Sequence, residues 1–317
     1  MFGPAIGSKY LILRVRQEVA GSAPVVARVG VYYTAPVIRL AIDPGDHWDR
    51  STTMTRLTQR FDGSNDIVGA WLSIGHPTVA EVTAAQGFDF VLVDTEHTPL
   101  GLETVENMAR GVDAAAGDTA TLVRVPSNNP VRIKRVLDIG VAGIMVPMIE
   151  TAAEAREVVK ATRYPPRGIR GVASGRAAEY GEDFEEYVQS ADESILTIVQ
   201  IESQTGLDNA KEIAAVEGID GVFVGPADLS ASLGIFTEWE HDRFIEAMET
   251  VIKAGDEADV PVGTLVVNPD DIEQRVDQGF DYLIVGKDTS HLSSANEAIR
   301  QEYERAVGQT RTTSTEN

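Results

Sequence analysis

The stretch Gly221-Val222-Phe223-Val224-Gly225-Pro226-Ala227-Asp228-Leu229-Ser230 is a short apolar strand that stops at Gly-Pro and then presents a carboxylate. The earlier stretch Ile198-Val199-Gln200-Ile201-Glu202 is also an apolar strand that ends in an acid. Two strands of the buried type that each deliver a carboxylate at their carboxyl end indicate a hard divalent cation held by oxygen ligands. Parallel-barrel enzymes place their chemistry at that end of their strands, so the pattern predicts a fold as well as a site.

Two further strand ends carry polar side chains of the kinds that catalysis uses. One is Phe90-Val91-Leu92-Val93-Asp94-Thr95-Glu96-His97, and the other is Thr121-Leu122-Val123-Arg124-Val125-Pro126. The alternative is that Glu202 and Asp228 only cap the helices that follow them, because acids are common at helix N-termini. Four strand ends that carry Asp, His, Arg, Glu and Asp favour one site assembled from several loops.

Apolar runs of strand length recur along the chain from residue 68 onward, with helical patterns between them. Eight strands alternating with helices over about 240 residues predict a (β/α)8 barrel, the TIM barrel. A doubly wound open sheet is the main alternative, but it needs a Gly-rich phosphate turn after an early strand, and the sequence has none. The predicted strands are Val68–Ile74, Phe88–Val93, Ala120–Val125, Gly143–Met148, Leu196–Ile201, Gly221–Val224, Val262–Val267 and Tyr282–Val285.

The helical patterns between these strands have apolar residues at helical spacing. Several end at a glycine, namely Gly87, Gly140 and Gly279, as a left-handed C-cap requires. The predicted helices are Thr78–Gln86, Pro130–Ile139, Ala152–Thr162, Leu207–Val216, Asp242–Ala258 and Asp270–Gln278.

The first 53 residues differ from the rest of the chain in charge and in pattern. They carry a net charge of +2, whereas residues 54–317 carry −24, and they show no sustained helical or strand period. We expect residues 1–53 to lie outside the native fold, with Met54 as the true start. A small amino-terminal domain or docking arm is the alternative. Residues 54–308 are then the barrel, and the polar segment 309–317 is predicted to be disordered.

The composition restricts the partners and the compartment. A net charge of −22 argues against nucleic acid, because phosphate contacts need an excess of Lys and Arg. Six lysines against twenty-one arginines and a pI near 4.5 favour a protein adapted to concentrated salt. With no cysteine, oxygen and imidazole are the available metal ligands. The absence of a long apolar run or a secretory signal argues against a membrane and favours the cytoplasm.

Several of these runs, in order and at compatible spacing, make the chain resemble the HpcH/HpaI aldolases, a family of class II pyruvate aldolases, over roughly residues 67–307. Within the family the resemblance is nearest to the 2-dehydro-3-deoxyglucarate aldolases, through residues 124–128 and 200–204. The runs that carry it are Val93–His97, Val123–Pro126, Ile133–Gly140, Arg163–Val172, Val199–Ser203 and Val224–Ser230.

The resemblance implies metal-dependent cleavage of a 4-hydroxy-2-oxo (2-keto-3-deoxy) acid into pyruvate and an aldehyde. Magnesium would bind Glu202 and Asp228, with manganese or cobalt as possible substitutes. Arg124 would stabilise the developing oxyanion. His97 would take the proton of the 4-hydroxyl, and the resemblance pairs it with Asp138. Gln200, Asp228 and the backbone N–H of Ala227 would hold the substrate.

Each of these residues also has a purely structural interpretation. His97 is then a cap or a surface residue, and Arg124 is an ion-pair partner of Glu96 or Asp138. Asp138 itself lies in a helical segment, where acids are usually solvated. His76, His241 and His291 have no supporting motif, and we expect them at the surface.

Two departures from the family pattern concern the loops around the site. Many relatives have Gly where this chain has Thr95, so the loop must adopt a conformation that a β-branched residue tolerates. The segment Ala173–Tyr180 is shorter than in close relatives and borders the aldehyde half of the predicted site. Arg176 is a candidate there for binding a substrate carboxylate.

Three other functions are compatible with a barrel. A Schiff-base aldolase needs a lysine at a strand end, and Lys287 is the candidate. A lyase of the citrate-lyase or malyl-CoA-lyase kind would act on an acyl-CoA ester, for which this acidic chain offers no obvious basic patch. A barrel that only binds a metabolite would need no general base, and the presence of His97 argues against it.

The carboxyl-terminal helix, predicted over Ser293–Val307, carries an apolar stripe at helical spacing. The stripe packs either on its own barrel or between subunits. Relatives exchange this helix between subunits and form hexamers, so the resemblance implies a homo-oligomer, most simply a hexamer that loosens at low salt. The stripe consists of Ala295, Ala298, Ile299, Tyr303 and Val307.

Overall fold

The computed structural model describes residues 57–61, 67–182 and 184–314, with side chains as far as residue 307. Eight parallel strands follow one another around a closed barrel, and the last pairs with the first. This confirms the predicted (β/α)8 barrel. The strands are β1 (Ile67–Leu72), β2 (Phe90–Asp94), β3 (Ala120–Arg124), β4 (Gly143–Val146), β5 (Leu196–Ile201), β6 (Gly221–Val224), β7 (Val262–Val266) and β8 (Tyr282–Lys287).

Helices connect the strands. Two 3-10 segments, Arg176–Gly181 and Pro269–Asp271, precede the helices that begin at Phe184 and Ile272. The sequence predicts the bounds of β5, β6 and the helices Ala152–Thr162 and Asp242–Ala258 as observed, and most other predicted element ends differ by one or two residues. The helices are α1 (Pro77–Ala84), α2 (Leu102–Ala114), α3 (Pro130–Leu137), α4 (Ala152–Thr162), α5 (Phe184–Ser194), α6 (Gln204–Asp208), α7 (Ala210–Ala214), α8 (Pro226–Ser232), α9 (Asp242–Ala258), α10 (Ile272–Asp277) and α11 (Asp288–Ser314).

The predicted helix Leu207–Val216 is wrong as one unbroken element. The chain forms α6 and α7 instead, with Asn209 at φ −107° and ψ 13° between them. The Asn209 side-chain amide donates to the Glu150 carbonyl at 2.8 Å. An Asn side chain that bonds outside the helix in this way competes with regular helical geometry, so the break falls at this residue.

A glycine in the left-handed region separates helix from strand at several points of the barrel. Gly87, Gly140 and Gly279 have φ of +85°, +81° and +93°, which confirms the predicted C-caps. Gly218 has the same conformation before β6, with φ of +91°. Each of these glycines lets the chain reverse from helix into the next strand without the steric cost that a side chain would add.

Three strands are preceded by an aspartate that bonds to the neighbouring strand. Each aspartate lies two residues after one of the left-handed glycines, so Gly-Phe-Asp or Gly-Ile-Asp recurs before β2, β6 and β8. Its carboxylate accepts a backbone N–H near the start of the preceding strand, which satisfies a donor at the barrel's edge. The bonds join Val68 N to Asp89 at 2.8 Å, Thr197 N to Asp220 at 2.7 Å, and Val262 N to Asp281 at 2.8 Å.

Aromatic rings fill the barrel from its amino-terminal end. The ring of Phe61, from the helical segment 57–61, lies 5.0 Å from that of Tyr282 and 6.5 Å from that of Phe90. The Tyr282 hydroxyl donates to the Val222 carbonyl at 2.8 Å. Gly263 has no room for a Cβ, because one would overlap the Tyr282 ring. The interior of the barrel is therefore a packed core. The aromatic rings close its amino-terminal end, and the carboxyl-terminal end is available for chemistry.

The last helix, α11, exposes its apolar side chains. Ile299 and Tyr303 are 71% and 70% exposed, so the interpretation in which this stripe packs on its own barrel is wrong for these two side chains. The backbone is helical as far as Ser314, beyond the predicted end at Val307 and into the segment predicted to be disordered. Ion pairs along the helix, Arg300–Glu304 and Arg305–Glu302, accompany this extension.

The amino-terminal segment and the question of a membrane-spanning helix were both subjects of the sequence predictions. Residues 1–53 and Met54 lie outside the described residues, so their assignment stays a prediction. Within the described part of the chain, no helix combines the length and the apolar character that crossing a membrane requires.

Candidate active site

Arg124 is held by several contacts at the carboxyl-terminal end of the barrel. It is buried at the end of β3, and its Nε and Nη2 donate to the two carboxylate oxygens of Asp94 at 2.9 and 2.8 Å. Its Nη1 lies 2.8 Å from Glu96 Oε2. Its guanidinium stacks on Trp71, with Cζ 4.4 Å from the ring centroid. These contacts fix the position and orientation of the cation.

The two acids around Arg124 respond differently to burial. Desolvation opposes ionisation of Asp94, but the hydrogen bonds and charge of Arg124 outweigh it, so the pKa of Asp94 is lowered. For Glu96, burial outweighs the attraction of Arg124, and the pKa is raised. Asp94 is therefore the principal anchor of Arg124. The structural alternative in which Arg124 pairs with Glu96 is thus observed, and Asp94 is a further partner that the sequence did not indicate.

Glu202 lies buried at the end of β5. One of its oxygens accepts the backbone N–H of Met148 at 2.8 Å, and the other accepts the Gln200 side-chain amide at 3.1 Å. Met148 has a left-handed φ of +54°, which is uncommon for a residue with a side chain. Burial raises the pKa of Glu202 to about 7, the Met148 N–H opposes this, and the nearby Asp228 and Glu96 add to it. The carboxylate lacks a compensating cation in close contact within the described residues.

Asp228 is exposed in the first turn of α8, immediately after β6. Ala227 precedes it and is also exposed, so its backbone N–H lies in the helical turn that faces the mouth of the barrel. Gly225, between β6 and α8, has no room for a Cβ, because one would overlap Glu202 Oε2. The strand end of β6 thus lies directly against the carboxylate of β5.

The donor set fits a hard divalent cation. Glu202 and Asp228 lie close enough for the charge of Asp228 to raise the pKa of Glu202. Gln200 Oε1 is buried and has no hydrogen-bond partner among the described atoms, so a further oxygen is unpaired beside them. No group of three or more His, Asp or Glu able to hold a metal occurs in the described ranges. Two carboxylates with water or substrate in the other positions is the arrangement that magnesium accepts.

His97 lies in the loop after β2, at the edge of this site. Its side chain is 66% exposed, and Nε2 lies 3.9 Å from Glu96 Oε2. The backbone N–H of His97 lies 3.4 Å from Asp94 Oδ1, which ties the loop to the anchor of Arg124. The imidazole is therefore at the mouth and open to a substrate. His76 and His241 are exposed, as expected, and each caps a helix through Nδ1.

Asp138 is not brought to His97 within this chain. It is the C-cap of α3, a helix that starts after the carboxyl end of β3 and runs back toward the other end of the barrel. There Asp138 accepts from Arg170 Nη2 at 3.2 Å. No hydrogen bond or ion pair between Asp138 and His97 occurs in the described ranges. The expected pairing is therefore absent inside one subunit, because His97 follows the carboxyl end of β2, whereas Asp138 lies at the end of the helix that leads away from the carboxyl end of β3.

Arg176 and Thr95 lie in segments that the sequence predicted to border the site. Arg176 is buried, donates to the Ile139 carbonyl at 2.6 Å and pairs with Asp113. Its proposed role with a substrate carboxylate is therefore wrong, because the guanidinium is used to hold the chain together. Thr95 is absent from the left-handed residues, and its hydroxyl donates to the Arg124 carbonyl at 2.6 Å. A β-branched residue is thus compatible with this loop.

Trp71 and Lys287 complete the site, and sequence reasoning gave no role to Trp71. The Trp71 side chain is buried, and Arg124 stacks on its ring. The ring centroids of Trp71 and Phe223 are 6.3 Å apart. Lys287, at the end of β8, places Nζ 5.3 Å from the same ring centroid. Burial and the charge of Arg124 lower the pKa of Lys287. The register that pairs Trp71 with Lys287 across β1 and β8 explains why they meet.

Comparison with known proteins agrees with this geometry. A 4-hydroxy-2-oxo-heptane-1,7-dioate aldolase from Shigella sonnei (strain Ss046) is 39% identical over 237 residues, 74% of this chain and 90% of that protein. A 5-keto-4-deoxy-D-glucarate aldolase from Klebsiella pneumoniae is 36% identical over 238 residues, 75% of this chain and 92% of that protein.

The fold comparison gives the same result. A crystal structure of an HpcH/HpaI aldolase/citrate lyase family protein from Burkholderia cenocepacia J2315 is 38% identical, with a TM-score of 0.77. The similarity covers 79% of this chain and 99% of that one. Residues 68–295 match the family described as HpcH/HpaI aldolase/citrate lyase. The chain therefore belongs to the HpcH/HpaI aldolase/citrate lyase family and is an enzyme of the carbon–carbon lyase class.

Proposed function

We propose that this enzyme is a divalent-metal-dependent aldolase that cleaves a 4-hydroxy-2-oxo acid of the 2-keto-3-deoxy type into pyruvate and an aldehyde. The observation that carries the proposal is the carboxylate pair Glu202 and Asp228, which lies at the same barrel end as the fixed cation Arg124. The named relatives are aldolases of 4-hydroxy-2-oxo or keto-deoxy acids, and this supports the reaction class.

Glu202 and Asp228 would hold the cation, with magnesium as the first choice and manganese or cobalt as alternatives. When bound, such an ion supplies Lewis-acid stabilisation of negative charge on the keto oxygen. The raised pKa of Glu202 in the protein without an ion is consistent with this role, because a buried carboxylate of this kind gains most from a cation. Gln200 holds one oxygen of Glu202 and keeps the carboxylate oriented.

Arg124 retains hydrogen-bonding capacity for the substrate. A guanidinium has five N–H donors; two of them donate to Asp94, and Nη1 forms an ion pair with Glu96. The N–H groups that do not donate to Asp94 are available to the oxygen that becomes negatively charged as the carbon–carbon bond breaks. Because Asp94 holds the planar group rigidly, little reorganisation is needed at the moment of reaction.

His97 would take the proton from the 4-hydroxyl. As the proton leaves, the oxygen forms the aldehyde carbonyl, the bond between C3 and C4 breaks, and its electron pair forms the enolate of pyruvate. A proton delivered to C3 then gives pyruvate. The exposed position of His97 at the mouth allows exchange of this proton with solvent.

We also propose that the enzyme is a homo-oligomer, with a hexamer as the expected form. The exposed side chains Ile299 and Tyr303 on α11 support this, because large apolar side chains in one stripe are typical of an interface. A pairing of Asp138 with His97 would have to join two copies of the chain. Light scattering at high salt tests the assembly, and a fully active monomer would refute it.

A screen of 4-hydroxy-2-oxo and 2-keto-3-deoxy acids, with pyruvate detected by lactate dehydrogenase and NADH, tests the activity. We expect pyruvate release that EDTA abolishes and magnesium restores. Parallel assays with malyl-CoA and citryl-CoA test the lyase alternative. Activity on the CoA esters alone, or pyruvate release that resists chelation, would contradict the proposal.

A further inference from the structure

Glu96 is a largely buried carboxyl group beside Arg124, and the proposed mechanism assigns no step to it. We propose that Glu96 is the acid that delivers a proton to C3 of the pyruvate enolate, and that it recovers this proton from His97. This inference rests on the proposed aldolase function, because it names the residue that completes the proposed reaction.

The first observation is the position of one oxygen of Glu96. Oε2 lies 2.8 Å from Nη1 of Arg124 and 3.9 Å from Nε2 of His97. In the proposed mechanism Arg124 faces the oxygen on C2, and His97 faces the hydroxyl on C4. C3 is the atom between C2 and C4, so a carboxyl group that lies against both residues is placed to reach it.

The second observation is that the loop after β2 holds this arrangement. The backbone N–H of Glu96 donates to Asp94 Oδ1 at 3.0 Å, and the backbone N–H of His97 lies 3.4 Å from the same oxygen. The Thr95 hydroxyl donates to the Arg124 carbonyl at 2.6 Å. Because Asp94 also accepts two hydrogen bonds from Arg124, one carboxylate positions the acid, the base and the cation together.

The third observation is the protonation of Glu96. Oε2 is buried and has no hydrogen-bond partner among the described atoms, although it forms the ion pair with Arg124. Burial raises the pKa of Glu96 against the charge of Arg124, and the charges of Asp94 and Asp228 add to the rise. A carboxyl group with a raised pKa keeps its proton where an ordinary glutamate has lost it. Glu96 therefore has a proton to give beside the enolate.

Lys287 is the other proton donor near Arg124 that the mechanism does not use. Its Nζ lies 5.3 Å from the centroid of the Trp71 ring. Within the described part of the chain it forms neither a hydrogen bond nor an ion pair with His97. Glu96 lies against His97 and can recover the proton from it, so we assign the step to Glu96.

The step balances within the site. The electron pair of the enolate takes the proton of the Glu96 carboxyl group, so a C–H bond forms at C3, the O–H bond of Glu96 breaks, and the keto group returns at C2. The imidazolium of His97, which holds the proton of the 4-hydroxyl, then transfers it to the Glu96 carboxylate. Both side chains return to their starting state, and pyruvate carries the added proton.

Exchange of the methyl protons of pyruvate with D2O, followed by NMR in the presence of magnesium, tests this step without a cleavable substrate. The wild type should exchange them, because the same group acts at C3 in both directions. Glu96→Gln is expected to slow the exchange at least about a hundredfold, the usual contribution of a positioned acid. Its affinity for pyruvate, measured by calorimetry with magnesium, should stay at the wild-type value, because Asp94 still holds Arg124.

Further variants separate this step from its alternatives. Glu96→Asp keeps a carboxyl group and should exchange faster than Glu96→Gln. His97→Ala should lose cleavage but keep most of the exchange, because pyruvate has no 4-hydroxyl. Lys287→Met should slow the exchange less than Glu96→Gln does. Glu103→Gln, at an exposed acid of α2, is the matched control and should change neither exchange nor binding.

Four results would overturn the assignment. They are wild-type exchange in Glu96→Gln, a larger loss of exchange in Lys287→Met, an equal loss of exchange and cleavage in His97→Ala, and loss of pyruvate binding in Glu96→Gln. The last would show that the carboxyl group acts only by holding Arg124. A wild type that releases pyruvate without exchanging its protons also refutes this inference alone. If the wild type neither binds pyruvate nor exchanges its protons, the proposed aldolase function itself fails.

Discussion

Carboxylates at the two ends of the barrel have opposite surroundings. At the amino-terminal end, Asp89 and Asp220 each accept a backbone N–H of the neighbouring strand and each pair with an arginine, Arg60 or Arg163. At the carboxyl-terminal end, Glu202 accepts two hydrogen bonds but has no arginine or lysine in close contact among the described residues. The same chemical group is compensated at one end and left short of positive charge at the other.

The carboxylates at the amino-terminal end stabilise the fold, whereas the carboxylate at the carboxyl-terminal end is suited to bind a ligand. A carboxylate that bonds the start of a strand stabilises the closed barrel. A buried carboxylate that lacks a cation destabilises the protein until a cation arrives. The left-handed Met148 adds to this contrast, because an uncommon backbone conformation holds the N–H that contacts Glu202.

The largest effect is expected when the charge of Glu202 is removed without a change in its shape. The pKa of Glu202 is raised to about 7 in the folded protein, from 4.5. Stability of the metal-free protein is therefore full below the unfolded pKa and is lost as the pH rises through the folded pKa. Glu202→Gln should remove this loss and increase the free energy of unfolding at pH 8 by about 3 kcal/mol.

Chemical denaturation in EDTA at pH 5 and pH 8 measures the effect of Glu202→Gln. The exposed Glu249→Gln serves as the control and should change neither value. Magnesium should stabilise the wild-type protein and leave Glu202→Gln unaffected. A variant less stable than the wild type at pH 8 would show that the carboxylate is compensated after all.

The second prediction concerns His97. We expect His97→Ala to reduce kcat at least about a hundredfold, the usual contribution of a positioned acid–base group. His241→Ala removes a histidine that caps α9 and should leave kcat unchanged. Steady-state kinetics on the cleaved substrate give the answer. A wild-type rate in His97→Ala would show that another group acts as the general base.

The third and smallest effect is expected at the amino-terminal end. Asp220→Ala leaves the Thr197 N–H without its acceptor and removes the contact with Arg163. The free energy of unfolding should fall by roughly 1–3 kcal/mol, the cost of an unsatisfied buried donor. Denaturation and kinetics on the same sample separate the two ends, because kcat should stay at the wild-type value. A fall in kcat with unchanged stability would contradict the assignment of Asp220 to the stability of the barrel.

Much of the fold could be predicted because strand and helix periods and glycine positions are local signals. The recurring Gly-Phe-Asp and Gly-Ile-Asp turns are also visible in the sequence, but their role needs the register between strands, which local patterns do not give. The positions of Arg124 and Glu202 at strand ends could be predicted from the sequence, while their catalytic and metal-binding roles stay predictions. The prediction failed for Arg176, because a buried clamp and a substrate-binding arginine have the same sequence signature.

Two further features depend on geometry that the sequence does not contain. Trp71 meets Lys287 only because β1 pairs with β8 when the barrel closes. Asp138 lies away from His97 because a helix returns the chain to the opposite end of the barrel. Both follow from the three-dimensional path of the chain.

We propose that Glu202 and Asp228 hold the cation on which cleavage depends. The most direct test measures magnesium binding by calorimetry and pyruvate release in parallel, for wild type, Glu202→Gln and Asp228→Asn. We expect the wild type to bind magnesium and release pyruvate, and both variants to fold but lose both properties. Magnesium-dependent pyruvate release at the wild-type rate in either variant would contradict it.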